Sequence, residues 1–265
     1  MYWDFLTEKE AEFTKQVLKA LSKASWAKRL LKRVEEGGGL TRSNKPLLFE
    51  TRVAYELLRQ NVETEYEYIT NVGDSSVDFR IKGDPEWLLE IFSIRESNAV
   101  KRATTQQGPF IETILETPPQ GAPRTEWERS EEGQMLLMQQ KIVEKVVKND
   151  NPRKFPLPQQ GRFHVILADT RGYLPVRGDK SDYWHIAFGS AGLPQHLRRF
   201  WKDEPIKGLF ESTNPLRGVP ILQQRIHFLG FVSENDYREG EITDTAYYCA
   251  NPYLFDDQRN SEAAL

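Results

Sequence analysis

Three acidic residues, Glu50, Asp78 and Glu90, each interrupt a stretch whose other residues read as buried, and Glu90 does so inside Trp87-Leu-Leu-Glu-Ile-Phe-Ser-Ile94. A carboxylate in apolar surroundings has to be paired, protonated or bound to a cation. Three of them in one region point to a metal centre in which Asp78, Glu90 and Glu50 supply hard oxygen ligands, the donor type that Mg²⁺ takes, with Mn²⁺ as a substitute. Each residue also has a plainer reading. Glu50 suits the positive end of its helix if it caps the first turn. Asp78 has Arg80 two residues away as an ion-pair partner, and Glu90 is satisfied if it belongs to a buried structural ion pair.

The elements that must position these groups follow from the spacing of apolar residues. Residues 8–36 carry Phe13, Val17, Leu21, Ala24, Leu31 and Val34 at helical intervals, which predicts one amphipathic helix ended by Gly37-Gly-Gly39. A second helix is predicted from Pro46, a residue suited to a first turn, to about residue 60. Its buried stripe is Val53, Ala54 and Leu57. Glu50 projects from that stripe, whereas Glu56 is expected on the wet side with Arg52 and Arg59.

Three strands follow at 62–70, 76–81 and 87–94, joined by the turns Asn71-Val-Gly-Asp74 and Gly83-Asp-Pro85. Alternation places Val77, Phe79 and Ile81 on one face of the middle strand and Asp78 with Arg80 on the other. In the third strand Glu90 shares a face with Leu88, Phe92 and Ile94, and the opposite face is also mostly apolar, which predicts a central strand covered on both sides.

Residues 103–129 contain several Pro and Gly and little periodicity and read as a long loop. A helix over 130–149 opens at Ser130 and has Met135, Met138, Ile142, Val143, Val146 and Val147 as its apolar side; Lys141 and Lys145 project together one turn apart, and Gln139 lies on the apolar side near Ile142 and Val143. A buried strand over 162–171 comes next, then irregular and short helical pieces, strands at 225–232 and 245–250, and a frayed end over 256–265. Tyr183-Trp184 and Phe200-Trp201 are read as core in preference to a base-stacking surface.

A helix bearing Glu, a strand bearing Asp, a central strand bearing Glu and a later helix bearing Lys is the order of a phosphodiester-cutting metal site. Carboxylates hold the ion and a lysine supports the charge that develops on phosphate. The segments Leu47-Leu-Phe-Glu-Thr-Arg-Val-Ala54, Ser75-Ser-Val-Asp-Phe-Arg80 and Leu88-Leu-Glu-Ile-Phe-Ser93 resemble the PD-(D/E)XK restriction-endonuclease-like superfamily, over about residues 45–170. The resemblance implies an α/β fold with a mixed central β-sheet flanked by helices, Mg²⁺-dependent hydrolysis of nucleic acid with DNA preferred, and Glu50, Asp78, Glu90 and a lysine as the catalytic set. Two positions depart from the family pattern: Phe92 stands where the lysine is usual, and Val77 where a proline precedes the aspartate. Some members supply the lysine from the following helix, which makes Lys141 the first candidate and Lys145 the second. Without such a lysine the resemblance implies an inactive nuclease-like fold serving as a nucleic-acid-binding or protein-interaction module.

Length and composition set the frame. With 38% hydrophobic and 28% charged residues among 265, the chain belongs with soluble globular proteins, and one nuclease-like domain over 1–255 is expected, with a core at about 45–172 and a C-terminal β extension over 173–255. The N-terminal segment lacks the basic start and apolar core of a signal peptide and no apolar run approaches a membrane span, so a cytoplasmic location without membrane contact is expected. The single cysteine, Cys249, excludes an internal disulfide or Cys-rich zinc site and reads as core. His164, His185, His196 and His227 have no ligating spacing and read as structural. A net charge of −3 argues against a surface that grips nucleic acid everywhere, while leaving room for a local groove. Oligomeric state has no signature in the sequence.

Overall fold

The computed structural model describes residues 8–73, 75–95, 97–107, 110–115, 130–173, 179–189 and 206–255. His196, Phe200, Trp201, the expected tail at 256–265 and most of the expected loop at 103–129 lie outside those residues.

The periodic segment at 8–36 forms two helices, α1 (Glu8–Leu21) and α2 (Lys28–Glu36), separated by a 3₁₀ turn at Ser25–Ala27. Ser22 accounts for the break: its hydroxyl donates to the Lys19 carbonyl at 2.8 Å, a local bond that competes with helix continuation. The apolar stripe survives because Leu21, Ala24, Ala27, Leu30 and Val34 are all buried. Helix α3 (Lys45–Arg59) then packs against both, with Pro46 in its first turn.

A six-stranded mixed sheet carries the fold, in the order β1 (Glu63–Ile69), β2 (Ser76–Lys82), β3 (Glu86–Ser93), β8 (Arg162–Asp169), β9 (Phe228–Val232) and β10 (Tyr247–Ala250). The β1–β2, β2–β3 and β9–β10 pairs are antiparallel; β3–β8 and β8–β9 are parallel. The β3-to-β8 crossover contains α4 (Asn98–Ala103), a hairpin of β4 (Thr104–Gln107) and β5 (Phe110–Thr113), then α5 (Glu131–Val146) and a small hairpin of β6 (Val147–Lys148) and β7 (Asn151–Pro152). So the stretch read as loop from 103 begins as a hairpin. Helix α5 opens as expected, with the Ser130 hydroxyl accepting from Gly133 N at 3.0 Å.

Helices cover both faces of the sheet. One layer holds α1, α2 and α3 with the short α8 (Glu234–Glu239) and α9 (Ile242–Thr245), over Phe79, Leu89, Ile91, Val165 and Leu167. The other holds α4, α5, α6 (Lys180–Phe188) and α7 (Val219–Gln223), over Val77, Leu88, Phe92, Ile166 and Ala168. Strand β3 is thus a central strand covered on both sides, as its apolar run predicts. The strands after residue 172 do not form an appendage; they extend the same sheet from the far edge of β8.

Two expectations about faces are corrected. Val77 and Phe79 pack on opposite layers, although strict alternation puts them together. Between the Tyr66–Phe79 and Tyr68–Val77 pairs, Glu67 takes φ 53°, a left-handed conformation at which the side-chain faces reverse while the pairing register is kept. Glu56 is buried rather than wet: its Oε1 accepts from Ile242 N at 2.7 Å and its Oε2 from Thr243 N at 3.0 Å, so it caps the start of α9 from across the helical layer.

Candidate functional site

The reversal at Glu67 and Asp78 lies where β2 and β3 part. Their register runs through Phe79↔Leu89 and is not continued to Asp78; instead the Asp78 Oδ2 accepts from Ile91 N at 2.6 Å. A side-chain oxygen thus replaces a ladder carbonyl, and the carboxyl group is held between the two strands. Arg80 is engaged by Glu86 and Glu65, so the plainer reading of an Asp78–Arg80 pair does not hold.

Glu90 follows on β3, 1% exposed, on the α5 side of the sheet. Its Oε1 receives two ammonium groups, Lys154 Nζ at 2.5 Å and Lys145 Nζ at 3.2 Å, while its Oε2 is buried without a hydrogen-bond partner among the described residues. Lys145 comes from α5, and its amine lies 5.4 Å from the centre of the Phe92 ring, within reach of a cation–π contact.

Lys154 follows β7 at φ 67°, with its backbone N–H bonded to the Val72 carbonyl at 3.1 Å; this turn aims its side chain into the site. Lys141 is corrected: it lies on the exposed side of α5 and pairs with Glu144 at 2.7 Å. One helical turn separates it from Lys145, and only the residue nearer the sheet end of the helix reaches Glu90.

Glu50 sits in the second turn of α3, past the position where a side chain caps the helix. The Tyr66 hydroxyl donates to its Oε2 at 2.7 Å, and Arg33 on α2 reaches the same oxygen at 3.4 Å and Glu67 at 3.1 Å. The Tyr66 hydroxyl also accepts from Arg33.

Electrostatics tie the three carboxyls together. Desolvation of the half-buried carboxyl, then the charges of Glu90 and Glu50, push Asp78 well above the usual carboxylate range, against a smaller opposing pull from Lys154. Burial also raises Glu50, opposed by the Tyr66 hydrogen bond and Arg33 and reinforced by Glu90. Burial and the Glu50 carboxylate in turn raise Tyr66, which stays a donor. Like charges raising one another's pKa are the mark of a site that favours an added cation.

Even so, no three His, Cys, Asp or Glu side chains among the described residues are gathered closely enough to hold one ion between them. The donor chemistry fits Mg²⁺ nonetheless, since that ion is commonly held by one or two carboxylates and completed by waters and substrate phosphate oxygens. The unpartnered Glu90 Oε2 beside Asp78 is such an opening.

The other groups singled out in the sequence are structural. Gln139 donates to the Ile186 and Lys207 carbonyls at 3.0 and 2.8 Å and so ties α5 to α6 and the segment after it, away from the acidic cluster. Asp169 is a buried partner of Arg171 at 2.8 Å and accepts from Ser93 at 2.9 Å. His164 and His227 pack edge to face, with His164 N donating to His227 Nδ1 at 3.0 Å. Cys249 and Tyr183 are core. Lys154 and Tyr66 were missed by sequence reasoning; a lone lysine after Asn-Pro-Arg and a strand tyrosine carry no local mark of their role.

Comparison of the chain with protein-family models, with curated proteins and with solved structures finds no match. No helix among the described residues is long and apolar enough to cross a membrane.

Proposed function

We propose that the chain is a Mg²⁺-dependent nuclease with a restriction-endonuclease-like core, hydrolysing phosphodiester bonds with DNA preferred. One observation carries the reading: Glu90, buried mid-strand, keeps one oxygen unpartnered while two lysines meet at the other and two further carboxyls act on the same site. A purely structural ion pair needs one cation for one anion and gains nothing from crowding Asp78 and Glu50 beside it.

In this reading Asp78 and Glu90, with Glu50, hold the ion, which when bound supplies Lewis-acid stabilisation of the charge developing on the phosphate. Lys154 and Lys145 divide the remaining work. Their amines lie on the Glu90 oxygen in the resting arrangement and turn to the non-bridging phosphate oxygens as charge grows there. Tyr66 and Arg33 act as positioning residues that hold the Glu50 carboxyl in place and oppose the upward push of burial on it.

A second reading, an inactive nuclease-like fold that binds nucleic acid or protein, is favoured by the ion pairs that already neutralise Glu90 and by the wider spacing of the three carboxyls. Cleavage assays on linear, supercoiled, branched and single-stranded substrates with Mg²⁺ or Mn²⁺ separate the two. The enzyme reading predicts cutting that Glu90→Ala, and Lys145→Met combined with Lys154→Met, each reduce by about 10²-fold or more, with Lys141→Met left near parent activity. Intact substrates throughout, or a Glu90→Ala variant as active as the parent, would establish the module instead.

A further inference from the structure

Beside the acidic cluster, the β6–β7 hairpin and the β1–β2 turn enclose a cleft of about 370 Å³ lined by Gly73, Ser75, Lys148, Asn149 and Arg153. The hairpin is rigid by construction. Lys148 pairs with Asn151 across a two-residue turn in which Asn149 and Asp150 have φ 51° and 60°, the left-handed pair that suits a tight hairpin. The backbone bond from Lys154 N to the Val72 carbonyl joins it to the β1–β2 turn.

Two cations face this cleft without a carboxylate partner among the described residues: Lys148, which is exposed, and Arg153, whose only polar side-chain contact there is the Glu144 carbonyl at 3.3 Å. Arg153 immediately precedes Lys154, so the chain that brings an amine to Glu90 presents a guanidinium in the cleft at the adjoining residue. Asparagine and serine side chains with turn backbone N–H groups complete an anion-binding surface.

We propose that this cleft is a phosphate-binding subsite, in which Lys148 and Arg153 grip the nucleic-acid backbone beside the bond presented to Glu90 and Lys154. The inference rests on the nuclease reading and deepens it. In this role the subsite positions the strand through its phosphates.

The test compares the parent with Lys148→Ala/Arg153→Ala and with the charge-reversed Lys148→Glu/Arg153→Glu, after thermal melts establish that each is folded. Binding of a fluorescein-labelled duplex of about 20 bp is followed by anisotropy in EDTA across a salt series. Each phosphate contact contributes about 0.9 to the slope of log affinity against log salt, so the double alanine variant is expected to lower the slope by about 2 and the reversed variant to weaken binding further. Hydrolysis of bis(p-nitrophenyl) phosphate with Mn²⁺, a diester too small to reach the cleft, is expected to match the parent. An unchanged salt slope overturns the subsite while leaving the nuclease reading to the Glu90 variants. A parent that binds DNA through these residues yet cuts nothing removes the nuclease reading and keeps the backbone contact. Loss of small-diester hydrolysis in a folded variant also overturns the proposal, because the two cations would then act at the acidic cluster itself.

Discussion

At the residue scale the carboxyl under most electrostatic pressure in the candidate site is Asp78. Held between two strands with two other carboxyls acting on it, it has a folded pKa above its ordinary 3.8, so between that value and its folded pKa the native chain holds a proton that the unfolded chain has released. Stability therefore falls as pH rises through that window. Asp78→Asn keeps an acceptor for Ile91 N and removes the charge; in EDTA it should be more stable than the parent at pH 8, by on the order of 1 kcal/mol and with a higher melting temperature, and converge on the parent near pH 4. An Asp78→Asn variant less stable than the parent at pH 8 would show that the ionised carboxylate is already well compensated.

At the element scale the site is a product of three irregularities in otherwise regular pieces: the reversal at Glu67, the parting of β2 from β3, and the hairpin after α5 that delivers Lys154. The regular parts are held elsewhere. The starts of β8 and β9 are joined by the His164–His227 pair and by His227 N donating to the His164 carbonyl at 3.0 Å. Burial lowers His164 from 6.5 to about 4 and His227, with His164 beside it, to about 3. Both imidazoles therefore stay neutral in the fold down to those values, while in the unfolded chain they charge below 6.5, so their share of stability is lost as pH falls through that interval. In NMR spectra the C2 proton signals of both rings should hold their neutral positions from pH 8 to 5.5; titration of either near 6.5 would contradict the burial found here.

At the scale of the whole molecule, the two helical layers and the sheet are continuous from α1 to β10, and the region after residue 172 supplies parts that the first half cannot replace. Strand β9 covers the free edge of β8, α9 provides the N–H groups that satisfy Glu56, and the Ile186 and Lys207 carbonyls satisfy Gln139. A chain ending at residue 172 would leave those groups buried and unpaired or exposed to water, each costing about 1–3 kcal/mol, beyond the lost apolar contacts. Such a truncation should show no cooperative unfolding transition by circular dichroism; a sharp melt would mean that residues up to 172 fold independently.

The sequence by itself determined the elements that depend on local spacing: α3 with Glu50 turned inward, the β3 run with Glu90 in its middle, and the Ser130 start of α5. Periodicity reports which face of an element is apolar, and a charge that breaks the pattern is visible without a partner in view. Only the tertiary structure decided which cations answer those charges. Lys141 and Lys145 differ by one turn of helix, so their spacing cannot tell which one reaches β3. Lys154 arrives from 64 positions beyond Glu90 through a left-handed turn. The faces of Val77 and Phe79 depended on the reversal at Glu67, and the partner of Glu56 lies 186 positions away. These are long-range outcomes set by chain packing, and a flexible lysine stem or one left-handed residue leaves no periodic trace from which to read them.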